Sequence, residues 1–69
     1  MNSQELAEII KNRREELGIS QKDLAEMSAI HLRSISNLES GKSNPTLDVL
    51  NQITKILGLK IHINVKEIV

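Results

Sequence analysis

Residues 20–41, SQKDLAEMSAIHLRSISNLESG, constrain the fold of this chain more than any other stretch. Ser20 and Asp23 have the spacing of a capping box, which marks the start of a helix. Ile35 and Leu38, three residues apart, have the spacing of a buried face on a second helix. The stretch therefore predicts two short helices that pack against each other across a tight turn.

The outer face of the second predicted helix carries few of the Glu and Lys residues that an ordinary solvated helix could carry. It presents short hydrogen-bonding groups, one leucine and a single arginine instead. These residues are His31, Leu32, Arg33, Ser34, Ser36 and Asn37. Such side chains suit the donors, acceptors and methyl groups on base edges in the major groove of duplex DNA. The pattern favours DNA recognition by this helix.

A set of residues in and around this stretch keeps a characteristic spacing. The set consists of Gly18-Ile19-Ser20-Gln21, Leu24-Ala25, Ile35-Ser36-Asn37-Leu38-Glu39, Gly41-Lys42 and Asn44-Pro45. It resembles the Cro/phage-repressor helix-turn-helix family, the lambda-repressor-like proteins, over roughly residues 6–58. One turn position departs from the family, with Ala29 where relatives usually have glycine. If that position needs a positive φ, alanine costs about 1 kcal/mol there.

The resemblance implies two sets of DNA contacts. Residues that would face the bases are His31, Leu32, Arg33, Ser36 and Asn37, and residues that would face phosphates are Gln21, Lys22, Ser34, Lys42, Ser43 and Asn44. Arg33 suits guanine, Asn37 suits adenine and Leu32 suits a thymine methyl. The alternatives are that Arg33 touches only phosphate, that Leu32 is an ordinary surface residue, and that His31 caps its helix.

The resemblance also implies a structural contact between Arg14 and Glu39. In relatives the matching residues form a partly buried ion pair that ties the first helix to the recognition helix. A bidentate arrangement of guanidinium and carboxylate would fit these two side chains. The alternative places Arg14 on a DNA phosphate.

Composition excludes several other functions. Nine basic and nine acidic residues give no net charge, so we expect weak non-specific DNA binding and a dependence on specific contacts. The absence of Cys excludes disulfides and thiolate metal sites, and the absence of aromatic residues excludes stacking platforms for single strands. The residues suggest no catalytic pair, metal or cofactor, so we do not expect an enzyme.

Without a signal peptide or membrane-spanning run, we expect a cytoplasmic protein with no membrane contact.

Helices are also predicted on both sides of the central stretch. Ser3 is the expected cap of a first helix that runs to about Leu17. The inner stripe predicted for this helix is Leu6, Ile9, Ile10 and Leu17. Thr46 is the expected cap of a fourth helix after a loop, and Gly58 is expected to end it.

Residues 59–66 change from a helical to an alternating pattern. The apolar members are Leu59, Ile61, Ile63 and Val65. Period two predicts a half-buried strand, and a lone strand leaves its backbone groups unpaired. No second strand candidate exists in the chain, so we expect antiparallel pairing with a second copy across a two-fold axis. The single domain thus divides into a DNA-binding part, residues 1–58, and a dimerisation strand, residues 59–69.

These patterns predict a mostly α fold, a bundle of about four to five helices with a helix-turn-helix and one C-terminal strand. The predicted function is a homodimeric transcriptional repressor that binds a palindromic operator in double-stranded DNA. The helix-turn-helix together with a single strand after the fourth helix resembles the antitoxin of HipA-kinase-type toxin–antitoxin modules. This resemblance implies autoregulation and a HipA-like kinase toxin as partner. The alternatives are a protein-interaction module that neutralises a toxin, with DNA binding secondary, and a phage or restriction–modification controller.

Overall fold

The computed structural model describes residues 1–66 and contains four α-helices in this range. They are α1 Ser3–Glu16, α2 Gln21–Ser28, α3 Leu32–Glu39 and α4 Leu47–Leu57. None of these helices is long and apolar enough to span a membrane. The final part of the predicted dimerisation strand, residues 67–69, lies outside the described residues.

Most helix ends follow local sequence signals. The capping box is confirmed: Ser20 Oγ accepts from the Asp23 N–H at 2.9 Å, and Asp23 Oδ2 accepts from the Ser20 N–H at 2.9 Å. That second bond lowers the pKa of the Asp23 carboxyl, because it favours the charged form. Thr46 caps α4 by accepting from the Val49 N–H at 3.2 Å, and Gly58 ends α4 in the left-handed conformation at φ 69°. Both of these end signals are also confirmed.

The predicted cap of α1 was wrong by one residue. Asn2, not Ser3, is the N-cap, and its side chain accepts from the Glu5 N–H at 2.8 Å. The Ser3 hydroxyl instead donates to Oδ1 of Asn44, 41 residues later in the chain, at 2.7 Å. Ser3 is therefore the first residue of α1, and its hydroxyl makes a tertiary contact and no capping bond.

One hydrophobic cluster holds the four helices together. Its members are Ile10, Leu24, Ala25, Ile35, Leu38, Ile53 and Leu57, none more than 8% exposed. Burying each large side chain among them contributes about 1.5–3 kcal/mol before conformational entropy is subtracted. Because α3 and α4 both pack against α1, the inward face of α1 determines how the helix-turn-helix sits on the rest of the chain.

The inner stripe predicted for α1 was partly wrong. Ile10 is fully buried and Leu6 packs against the cluster, as expected. Ile9 and Leu17, however, are each 43% exposed, and the small residue Ala7 is buried at 2% exposure. The packed face of α1 is therefore centred on Ala7 and Ile10, and the small side chain of Ala7 allows the neighbouring helices to approach α1 closely. Ile9 lies at the edge of this face.

Residues 59–66 form neither helix nor strand in the described chain. Leu59 packs against the core, whereas Ile63 and Val65 are 94% and 96% exposed. A strand is defined by hydrogen bonds to a neighbouring strand, and residues 1–66 contain no such neighbour. The C-terminal strand and its pairing across a dimer therefore stay predictions.

The turn between α2 and α3 contains a strained residue. Ala29 has φ 60° and ψ 30°, and it is the one non-glycine residue with a positive φ in the described chain. We expect Ala29→Gly to raise the free energy of unfolding by about 0.5–1 kcal/mol, since glycine adopts this conformation without a Cβ penalty. Urea denaturation followed by circular dichroism measures the change.

Gly18 provides the reverse control for this prediction. It has φ +70°, and a Cβ built there meets no atom within 4 Å, so Gly18→Ala tests backbone conformation alone. This variant should lose about as much stability as Ala29→Gly gains. If glycine at position 29 gave no gain while Gly18→Ala cost stability, the turn at Ala29 would not be strained.

Candidate nucleic-acid interface

The two helices of the central motif are held in a defined geometry by buried side chains. Leu24 and Ala25 of α2 share the core cluster with Ile35 and Leu38 of α3. The backbone N–H of Ile30 donates to the Ala25 carbonyl at 3.2 Å and closes the turn. With its apolar face buried in this way, α3 presents its opposite face to solvent.

That opposite face carries every residue predicted to contact bases. His31, Leu32, Arg33, Ser36 and Asn37 are all exposed. Leu32 is 47% exposed despite its apolar side chain. His31 is the N-cap residue of α3, as one alternative had it, but its side chain makes no capping hydrogen bond. The face therefore combines an imidazole, a guanidinium, an amide, a hydroxyl and an apolar group.

The residues predicted to contact phosphates lie around α3 rather than on one face. Lys22 is exposed in the first turn of α2, and Lys42 is exposed just after α3. Ser34 and Ser43 line a common cleft of about 170 Å³ between α3 and the following loop. Asn44 is exposed, but its Oδ1 is already bonded to the Ser3 hydroxyl.

Arg14 and Glu39 form a bidentate ion pair beneath this surface. Arg14 Nε lies 2.7 Å from Glu39 Oε2, and Arg14 Nη2 lies 2.9 Å from Glu39 Oε1. The two side chains are 12% and 2% exposed, and Arg14 Nη1 donates to the Ile19 carbonyl at 2.8 Å. The hydrogen bond to Glu39 raises the pKa of the Arg14 guanidinium. All three guanidinium nitrogens donate inside the fold, which places Arg14 in a structural role.

Gln21 is hydrogen-bonded to the carboxylate of the same ion pair. It is the first residue of α2, is partly buried, and donates from Nε2 to Glu39 Oε1 at 3.1 Å. The residue predicted to touch phosphate is thereby oriented by a carboxylate at the end of α3. Glu39 connects the α1–α3 ion pair to the start of α2.

Lys11 is a cation close to this network that was not among the predicted DNA contacts. Lys11 is exposed on α1 and lines a cleft together with Gln21, Ser36 and Glu39. A signal for it was present, because Lys11 precedes Arg14 by three residues and therefore lies one helical turn away on the same side. The link between Gln21 and Glu39 had no comparable local signal.

Comparison with known proteins agrees with this architecture. A family model described as helix-turn-helix matches residues 10–63. The HTH-type transcriptional regulator DdrOP3 of Deinococcus deserti is 33% identical over 57 residues, which cover 83% of this chain and 44% of the relative. An uncharacterized HTH-type transcriptional regulator of Methanothermobacter thermautotrophicus is 36% identical over 50 residues, 72% of each chain.

A similarity extends to a human protein. Endothelial differentiation-related factor 1 is 35% identical over 57 residues, which cover 83% of this chain and 38% of the human protein. The chain thus spans less than half the length of two of these three relatives. The match to the family model covers most of the chain and includes α2, the turn and α3. The chain belongs to the helix-turn-helix family of the Cro/C1 type.

Proposed function

We propose that this protein is a transcription regulator that binds specific sequences in duplex DNA through the outer face of α3. The observation that carries the proposal is this polar, exposed face, mounted on a helix whose other face is fully buried. In helix-turn-helix proteins the second helix lies in the major groove, and the residues at its start contact base edges. A helix fixed by buried packing loses little further freedom when it binds.

Individual roles follow from side-chain chemistry. The Arg33 guanidinium can donate two parallel hydrogen bonds to guanine O6 and N7, and the Asn37 amide can pair with adenine N6 and N7. Leu32 would contact a thymine methyl, and its exposure favours this role, because an apolar side chain gains by burial against DNA. Lys22 and Lys42 would bind phosphates, which positions the protein without reading sequence.

The test of this proposal uses Arg33→Ala. Selection from randomised duplexes should first yield a preferred sequence for the wild-type protein. Arg33→Ala should then lose the preference at one base pair in each half-site, at a cost of about 1–3 kcal/mol for each lost contact. Fluorescence anisotropy with the selected duplex and with single-base variants of it measures both effects.

Lys42→Ala serves as the comparison for Arg33→Ala. It should weaken binding to all sequences alike and reduce the salt slope by about one. Unchanged affinity and unchanged sequence preference in Arg33→Ala would remove Arg33 from base recognition.

We further propose that the protein acts as a homodimeric repressor on a palindromic operator. The support is the alternation of apolar residues in the segment 59–66, together with the exposure of Ile63 and Val65 in the single chain. A two-fold dimer places two recognition helices on half-sites about 34 Å apart, or a multiple of it, so the operator should be symmetric.

A second candidate role is that of an autoregulating antitoxin in a HipA-kinase-type module. Its support is the alternating apolar segment 59–66 after α4, which resembles the C-terminal strand of those antitoxins. The test is co-expression with the product of the neighbouring gene. A stable complex with a kinase-like neighbour supports the antitoxin role, whereas neighbouring phage or methyltransferase genes support a phage or restriction–modification controller.

A further inference from the structure

We infer that Lys11, Gln21 and Ser36 together bind one phosphate of the DNA backbone, in a cleft where α1, α2 and α3 meet. We call this site the Lys11 cleft. It has a volume of about 250 Å³, and the buried carboxylate of Glu39 also lines it. The inference rests on the proposed DNA binding and adds a residue of α1 to the interface.

The charge in the Lys11 cleft suits a phosphodiester. Glu39 contributes one negative charge, but its carboxylate is neutralised by the bidentate contact with Arg14. Lys11 then leaves one net positive charge, which matches the single negative charge of a backbone phosphate. Glu8 and Glu15 stand three residues before and four residues after Lys11, yet neither forms an ion pair with Lys11 in the described structure.

The hydrogen-bond donors in the cleft are also available. Among residues 1–66, neither the Lys11 ammonium nor the Ser36 hydroxyl makes a side-chain hydrogen bond. Ser40 lines the same cleft, but its hydroxyl already donates to the Asn37 carbonyl at 2.9 Å. We therefore assign the binding to Lys11, Gln21 and Ser36 and leave Ser40 as part of the wall.

Glu39 determines how Gln21 participates. The Gln21 amide must turn its nitrogen toward Glu39 Oε1, because its own carbonyl oxygen would meet another acceptor there. One amide N–H is used in this bond at 3.1 Å, and the second N–H is left for a ligand. Glu39 is thus a positioning residue for a phosphate contact as well as half of an ion pair.

The backbone at the start of α2 is a weaker anion site than these side chains. The Asp23 N–H is already bonded to Ser20 Oγ, and the Asp23 carboxylate adds a negative charge to the same helix end. Anions are attracted by a helix N-terminus chiefly through unpaired N–H groups. The assignment also moves Ser36 from base recognition to the DNA backbone.

The experiment measures binding of the full chain to the selected duplex as salt concentration varies. Lys11→Gln should weaken binding about tenfold at 0.1 M salt and reduce the salt slope by about 0.9, the effect of one lost phosphate contact. Lys55→Gln, the same change at an exposed position of α4, should leave both values unchanged. Ser36→Ala should weaken binding to all sequences alike and leave base preference unaltered.

Neutral methylphosphonates, placed one at a time in the selected duplex, locate the contacted phosphate. Wild-type protein should lose affinity when the phosphate in the Lys11 cleft is neutralised, and that loss should shrink in both Lys11→Gln and Gln21→Ala. The inference is overturned if the two variants respond at different phosphates, or if Lys11→Gln behaves like Lys55→Gln while the wild type binds normally. Failure of the wild type to bind any duplex would overturn the proposed function, and this inference with it.

Discussion

Replacement of Arg14 by methionine is expected to lower the free energy of unfolding by about 3–5 kcal/mol. The substitution leaves the Glu39 carboxylate, 2% exposed, without its cationic partner and with the Gln21 amide as its remaining side-chain donor in the described structure. Small domains have about 5–15 kcal/mol of stability in total, so the variant should be close to unfolding. Urea denaturation at pH 7 measures the loss.

The control is the same substitution at an exposed position. Arg33→Met on α3 removes an arginine that makes no ion pair within residues 1–66, and it should change stability by about 0.5 kcal/mol or less. A double-mutant cycle of Arg14→Met with Glu39→Gln should give a coupling energy of at least about 1 kcal/mol. Additive effects of the two substitutions would mean that the pair does not stabilise the fold.

The aspartate variant of Ile63 is expected to convert the protein to monomers and to abolish operator binding. In the proposed dimer, Ile63 is buried on the same face as Leu59, Ile61 and Val65. Burial of each such side chain contributes about 1.5–3 kcal/mol. In the single chain Ile63 is 94% exposed, so the substitution should leave the fold of the monomer intact. Analytical ultracentrifugation measures the oligomeric state, and anisotropy with the selected duplex measures binding.

Asn64→Asp is the matched control, since it adds the same charge at the next position, which alternation places on the opposite face. It should stay dimeric and bind the operator. Truncation after Gly58 should also give monomers, with a lower melting temperature, because it removes Leu59, which packs against the core. If Ile63→Asp remained a dimer that binds its operator, the segment 59–66 would not be the dimer interface.

The parts of this fold that were predicted well depend on interactions between residues close in the chain. The capping box of Ser20 and Asp23 forms within one helical turn, and the cap at Thr46 does the same. The buried positions Ile35 and Leu38 follow from helical periodicity in an eight-residue segment. Local geometry fixes these contacts once a helix forms, so they do not depend on the rest of the chain.

The errors were choices between residues that are neighbours in the sequence. Asn2 rather than Ser3 caps α1, because the Asn2 side chain accepts from the Glu5 N–H, whereas the Ser3 hydroxyl donates to Asn44, 41 residues away. In the sequence, Ile9 and Leu17 fit an apolar stripe as well as Leu6 and Ile10 do. The positions of α3 and α4 against α1 leave Ile9 and Leu17 about half exposed. A periodic pattern identifies a face only to within one residue, and packing selects among the neighbours.

By itself, the sequence determined the order of the helices, most of their ends and the exposed polar face of α3, because periodicity and capping are encoded within single turns. The tertiary structure alone decided that the Gln21 amide donates a hydrogen bond to Glu39 and that Lys11 lines the same cleft. These contacts join three helices, and Gln21 and Glu39 are separated by 18 residues. Side-chain chemistry is written in the sequence, but a site built from several helices exists only after the core has set their relative positions.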